Sequence, residues 1–130
     1  MTLAKITQEQ LDISLVAGCK KFRDMDLSGL DLSRQRLIDL GVSVDRLCGG
    51  DFFRSDLTGA CLVGVDLFEA RFLFAILHGA NLSGANVYKT TFAYTFFDEA
   101  SYASLQGAYH YETNFWGAEL KKENEEKKTP

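Results

Sequence analysis

A large apolar residue returns at every fifth position through the middle of this chain, and few folds accept that spacing. Over residues 50–99 the series is Phe52, Leu57, Leu62, Leu67, Phe72, Leu77, Leu82, Val87, Phe92 and Phe97. Two residues before each stands a smaller one: Gly50, Ser55, Ala60, Val65, Ala70, Ala75, Ala80, Ala85, Thr90 and Thr95. The phase extends backward through Phe22, Leu27, Leu32, Leu37, Val42 and Leu47, making sixteen apolar residues at one spacing. With 46% of residues hydrophobic, chance produces such a run about once in fifty thousand chains. A helix of 3.6 residues per turn cannot keep a five-residue repeat on one face, and a plain strand alternates every two. A coil satisfies it, if each quintet forms one side and then turns a corner. The large residue and the smaller one before it point inward, and the other three point out.

The stacking of rings favours four sides per coil. Residues twenty apart then lie above one another, and Leu32, Phe52, Phe72 and Phe92 share one ladder. Leu37, Leu57, Leu77 and Phe97 form the next, then Phe22, Val42, Leu62 and Leu82, then Leu27, Leu47, Leu67 and Val87. Phenylalanines one strand spacing apart, about 4.8 Å, make offset ring contacts. Three sides would scatter them.

Runs such as Ala80-Asn81-Leu82-Ser83-Gly84 and Ser55-Asp56-Leu57-Thr58-Gly59 fit an A-[D/N]-L-x-x pattern. The chain therefore resembles the pentapeptide-repeat proteins, over residues 22–120. The resemblance implies an all-β solenoid, a right-handed quadrilateral β-helix. The expected organisation is an N-terminal capping helix within residues 1–19, about five coils over 20–120, and a charged tail over 121–130.

The ends depart from the repeat. Thr7 and Gln10 have the form of a capping box, Gly18 is a natural stop, and a short helix is expected over 8–17. Leu11 and Leu15, with Ile13 and Val16, give it an apolar side to lay over the open end of the coil, whose unpaired strand groups invite aggregation. Between 20 and 49 the pattern is degraded. Met25 and Leu30 are large for the small inward slot, and Gln35 and Asp45 are polar there. Because the phase resumes without slippage at Phe52, the coil is read as continuing through 35–48. The alternative is a loop or helical turn, since Leu37, Leu40, Val44 and Leu47 also suit one helix face. After Phe97 the phase shifts by three residues, which places a distorted corner near 100–104 and His110 at an inward position. From Glu119 onward the chain is nearly all Lys, Glu and Asn, a solvated segment.

Chemical motifs are scarce. The 130 residues carry 14 Lys and Arg against 18 Asp and Glu, a net charge of −4, so there is no basic signature for direct nucleic-acid binding. Cys19, Cys48 and Cys61 have neither metal nor disulfide spacing, which suggests a reducing, cytoplasmic home; the source is expected to be bacterial. No apolar run approaches the length of a membrane span. No catalytic, cofactor or metal site is expected. The aspartates read as turn residues bonded to local backbone, and a filled solenoid offers no pocket with convergent polar groups.

The surface is more informative. Phe53, Leu73, Phe74 and Tyr94 are expected to face outward from the phenylalanine side, with Ile76 and Phe96 around the next corner and Phe68 and Tyr88 on the side before. Together they are read as one patch, and contiguous exposed aromatics mark contact surfaces. Tyr102, Tyr109, Tyr111, Phe115 and Trp116 form a second cluster that either caps the last coil or joins two molecules. The expected function is a non-enzymatic protein–protein interaction scaffold, acting on an unidentified protein or as a homodimer. The alternative comes from the resemblance: some family members are acidic rods that mimic duplex DNA and bind DNA gyrase. Arginines interleaved with the aspartates, and a rod of only about 24 Å, argue against it.

Overall fold

In the computed structural model, which describes residues 3–122, parallel bridges link residues twenty apart along the middle of the chain. Asp51 bridges Arg71 and Arg71 bridges Thr91; Asp56 bridges Ile76 and Ile76 bridges Phe96; Cys61 bridges Asn81, and Asp66 bridges Asn86. Four quintets thus complete one turn, and the chain rises by one strand spacing. The inward residues Phe52, Leu57, Leu62, Leu67, Phe72, Leu77, Leu82, Val87, Phe92 and Phe97 are all at most 2% exposed.

Local chemistry makes each quintet turn. The Oδ1 of Asp26, Asp31, Asp51, Asp56, Asp66, Asn81, Asn86 and Asn114 accepts the backbone N–H two residues on, at 2.9–3.1 Å. These side chains satisfy the donor that the corner leaves unpaired. Where the small inward slot holds a hydroxyl, that group is bonded too. Ser55 Oγ donates to the Phe52 carbonyl at 2.7 Å, and Thr90 and Thr95 Oγ1 donate to those of Leu67 and Phe72 at 2.6 Å. A buried hydroxyl without such a bond would be costly. Gly50 has no spare room, since a Cβ there would come within 3.0 Å of the Phe52 ring.

The first coil corrects the expected ladders. Lys21 bridges Asp51, Asp26 bridges Asp56 and Asp31 bridges Cys61, an offset of thirty rather than twenty. Phe22, not Leu32, therefore lies under Phe52, and Phe22, Phe52, Phe72, Phe92 and Phe115 form one continuous stack with centroid spacings of 4.7–5.3 Å. Ten residues leave the coil. Helix α2 (Arg34–Asp39) is capped by Ser33, whose hydroxyl accepts from Arg36 N, and it ends at Gly41 with φ +72°. The coil expected through 35–48 is thus interrupted. Gln35 and Asp45 are exposed, which avoids burying them in the small slot, while Leu37 swings back into the core.

At the N-terminus, β1 (Ala4–Lys5) pairs in parallel with β2 (Met25–Asp26). Helix α1 (Gln8–Val16) follows with a reciprocal Thr7/Gln10 capping box. Its side chains reach the first coil: Gln8 bonds the backbone N–H and carbonyl of Asp31 at 2.8 and 2.9 Å, and Asp12 pairs with Arg36. Only Leu11 and Leu15 are buried. Ile13 and Val16, expected on the same side, are 63% and 55% exposed, because the helix turn carries them to the opposite face.

Near the other end, β3 (Phe96–Asp98) runs into α3 (Glu99–Ser104), which is capped by Asp98. The ladder offset becomes 23 here: Asn86 bridges Tyr109, Thr91 bridges Asn114, and β3 pairs with β4 (Glu119–Lys121). His110 is exposed. The tail expected over 121–130 lies outside the described residues from 123 onward.

Candidate functional site

The corner that follows the phenylalanine side differs from the two corners after it. Its turning residues Asp24, Arg54, Phe74 and Tyr94 all hold φ between +56° and +58°. Left-handed backbone disfavours residues with a Cβ by about 1–2 kcal/mol. The two following corners use glycine at the equivalent place, with Gly59 and Gly79 at +68° and +70°, and Gly64 and Gly84 at +67° and +69°. At the corner of Phe74 and Tyr94, side chains project where these two corners have none; the remaining corner also carries side chains, Glu69 and Lys89 at +59° and +54°, and in the last coil Gly117 at +72° takes the turning place after Trp116.

Rings at the corner of Phe74 and Tyr94 form a column running along the rod. Phe53 meets Phe74 edge-on at 6.0 Å, Phe74 stacks on Tyr94 at 5.1 Å and 10°, and Tyr94 meets Trp116 edge-on at 5.2 Å. Each aromatic pair contributes about 0.5–1.5 kcal/mol beyond burial, which offsets much of the backbone strain. Phe74, Tyr94 and Trp116 remain 44%, 37% and 70% exposed. The lower end is flanked by cations: the Arg23 guanidinium lies 4.6 Å from the Phe53 ring centre, and that of Arg54 lies 6.0 Å away. Both arginines are also paired, Arg23 with Asp51 at 3.2 Å and Arg54 with Asp24 at 3.4 Å.

Beside the column runs an open groove of about 720 Å³. Its floor is Phe53, Phe74, Ile76 and Leu3, and its walls carry Asp26, Asp56 and Arg54. Ile76 and Phe96 lie on this side, bridged to one another. Phe53, Phe74, Ile76, Tyr94 and Phe96 are thus brought into one region, and Leu73 adjoins it next to Phe74 in the chain, its carbonyl accepting from Arg54 N at 3.0 Å. Phe68 and Tyr88 are not. They belong to a second line in which Tyr88 meets Tyr111 at 5.7 Å and the Lys89 ammonium lies 6.0 Å from the Phe68 ring. In each coil the polar residues Glu69 and Arg71, or Lys89 and Thr91, stand between the two lines, so the expected single patch is two.

Trp116, Arg23 and Arg54 were missed as members of the column. The signal for Trp116 was present: Asn114-Phe115-Trp116 repeats the frame of Asp51-Phe52-Phe53, in the shifted phase. Elsewhere the chemistry is quiet. Burial pushes the Cys48 thiol up to about 11, so it is protonated and unreactive at neutral pH. Among the described residues no group of three or more His, Cys, Asp or Glu is placed to hold a metal ion, and no helix is long and apolar enough to cross a membrane.

Residues 51–87 match the family model of pentapeptide repeats, in 8 copies. Over that stretch the chain carries pentapeptide repeats and resembles the pentapeptide-repeat proteins. It is similar in structure to a pentapeptide repeat protein from the thylakoid lumen of Arabidopsis thaliana, with 23% identity and a TM-score of 0.60, over 80% of this chain and 64% of that one. A second similar structure is HetL, involved in heterocyst differentiation regulation in Nostoc sp. strain PCC 7120, with 22% identity and a TM-score of 0.38, over 78% of this chain and 47% of that one. A third, also a pentapeptide repeat protein from Nostoc PCC 7120, has 21% identity and a TM-score of 0.30, over 93% and 100%. The chain thus spans less than two thirds of the length of the first two. At 23% identity the first of these likenesses, with its TM-score of 0.60, concerns the fold alone, a right-handed β-helix. No curated protein matches the chain in sequence.

Proposed function

We propose that this pentapeptide-repeat chain is a non-enzymatic interaction scaffold, a rigid rod that presents the Phe53–Phe74–Tyr94–Trp116 column to another protein. In this reading the rod has five coils, counted along the rungs Lys21, Asp51, Arg71, Thr91 and Asn114, and α1 closes its N-terminal end with Leu11 and Leu15. The column carries the proposal. Phe74 and Tyr94 hold exposed rings at strained corner positions where the two following corners use glycine, and such strain points to a role for this surface. Most of the repeat's aspartates are held in local turns, which leaves them unsuited to proton transfer. Free thiols at Cys19, Cys48 and Cys61 fit a reducing, cytoplasmic compartment.

The test is a double variant, Phe74→Ser with Tyr94→Ser, compared with the parent chain in cross-linked pull-downs from the native cell. The expected result is loss of the captured proteins with an unchanged β-type circular dichroism spectrum; unchanged capture would defeat the proposal. Gyrase modulation requires a long face of one sign. The Arg23–Asp51 and Arg54–Asp24 pairs neutralise the coils where the aspartates gather, so the scaffold should leave gyrase supercoiling unaffected at micromolar concentration.

A further inference from the structure

The groove beside the ring column has a chemical preference of its own. Along this side the outward ladder reads Lys5, Asp26, Asp56, Ile76 and Phe96. Asp26 and Asp56 are therefore two carboxylates on adjacent rungs, and like charges directly opposite repel. Lys5 relieves the lower one: its Nζ lies 3.9 Å from Asp26 Oδ1 and also bonds the Ser28 carbonyl and, at 3.3 Å, its hydroxyl. Asp56 accepts from the backbone and hydroxyl of its own Thr58 at 2.9 and 2.6 Å, but makes no ion pair among the described residues. It stands at the rim of an apolar floor with its charge uncompensated.

The chain's own N-terminal segment shows what such a rung accepts. Leu3 lines the groove, Ala4 and Lys5 form β1, and the ammonium of Lys5 reaches the acid of the rung above. An apolar residue followed two positions later by a base meets an apolar floor and an aspartate. One rung higher the floor is larger, with Phe74 and Ile76, and its aspartate is unpaired.

We propose that this groove binds an extended segment of a partner protein in which an apolar side chain sits on Phe74 and Ile76 and a neighbouring lysine or arginine pairs with Asp56. The proposal rests on the scaffold reading and names the chemistry of its partner. The backbone groups of the inner rungs are consumed by the ladder, so the segment is held by side chains. Base stacking is disfavoured, because Phe74 and Tyr94 turn their faces to each other and offer edges outward.

The probe is an acetylated, amidated Leu-Ala-Lys-Ile peptide, copying residues 3–6, titrated into the isotope-labelled full chain and followed by amide chemical shifts. The expected result is saturable change at Asp56, Phe74 and Ile76, weakened roughly tenfold or more when the peptide lysine is glutamate, and likewise in the Asp56→Asn chain. Equal binding of the lysine and glutamate peptides overturns the basic-partner inference. So does change confined to Met25 and Asp26, which would mean displacement of β1, or no change at these three residues up to about 10 mM. The Phe74→Ser, Tyr94→Ser pull-down separates the two readings. If capture is lost there while the peptide result is negative, the scaffold stands and only the basic partner falls.

Discussion

The coils between residues 51 and 98 and the coils on either side of them are built from the same quintet, yet only the middle ones close in twenty residues. The first coil spends thirty, with α2 looped out, and the last spends twenty-three, with α3 inserted. The two insertions leave different marks in the chain. Ten is two quintets, so Leu47 and Phe52 fall back into the original phase and the interruption is hidden. Three is not a multiple of five, so every inward residue after Phe97 changes phase. A repeat reveals the length of an insertion only modulo its own period. Packing tolerates both because each coil stacks only on its neighbours, and a helix at a corner leaves the rungs above and below it in place.

The largest effect expected from this contrast lies in the ring stack. Phe72, fully buried between Phe52 and Phe92, should cost about 3–5 kcal/mol when replaced by Ala. Phe115 terminates the same stack but is 37% exposed, so Phe115→Ala should cost less than half as much. Urea denaturation measures both. Equal losses would mean that the last coil is as well packed as the middle, which its exposure denies.

Deletions that restore the twenty-residue coil come next. Removing residues 36–45 brings Leu47 to the fifth place after Leu32, and removing residues 101–103 brings Leu105 to the fifth place after Phe97. Both variants should stay folded, each losing about 1–3 kcal/mol with the side chains removed. Removing only residues 101–102 leaves the last coil one residue out of register and should disorder it. Circular dichroism with denaturation decides. Unfolding of the ten-residue deletion would show that α2 is required for the coil and is not an interruption of it.

How much was readable follows from the same arithmetic. The inward residues from Phe52 to Phe97 were visible because a solvent-excluded interior selects size at every fifth place, and the turn aspartates because the backbone needs an acceptor there. Phe22 beneath Phe52 was not visible, since ten inserted residues leave no phase error. Leu37 looked like a rung, being apolar and in phase, yet it reaches the core from a helix. For the surface, the outward direction of Phe53, Phe74 and Tyr94 was legible from position alone. Their separation from Phe68 and Tyr88 was not, because it depends on the width of the polar strip between adjacent corners. Trp116 was assigned to a terminal cluster, and only the three-residue slip carries it onto Tyr94.

A smaller effect distinguishes the corners. Gly79, at φ +70°, should lose about 1 kcal/mol or more on replacement by Ala, since the left-handed backbone then carries a Cβ. Phe74 holds φ +58° one corner earlier in the same coil, and Phe74→Gly relieves that strain while losing ring contacts of similar size. Its net effect on stability should be within about 1 kcal/mol of zero. Thermal denaturation of both variants tests this. A large loss at Phe74→Gly would make the ring a structural element and weaken the case for a contact surface.

Acid should separate the ends of the rod from its middle by the least. The Arg36 guanidinium, with Nε 3.1 Å from Asp12 Oδ1, holds the Asp12 carboxyl below its ordinary 3.8 and ties α1 to α2. At Asp98 burial acts upward, but the N–H groups of Gly79 and Ser101 and the Ser101 hydroxyl outweigh it, and this carboxyl too lies below 3.8. A carboxylate whose folded pKa is depressed adds stability that is complete above its unfolded value and is lost as pH falls through the folded one. The loss therefore begins near pH 4 and continues below it, and for partly solvated pairs it amounts to about 1 kcal/mol or less each. Asp12 and Asp98 both anchor helices that stand outside the regular ladder. Amide exchange at pH 3 should thus quicken in α1 and α3 while Phe52, Phe72 and Phe92 stay protected. Asp12→Asn should remove the pH dependence of α1 alone. If exchange rises evenly along the chain, the ends and the middle form one cooperative unit, and the distinction between regular and interrupted coils is one of geometry without an energetic counterpart.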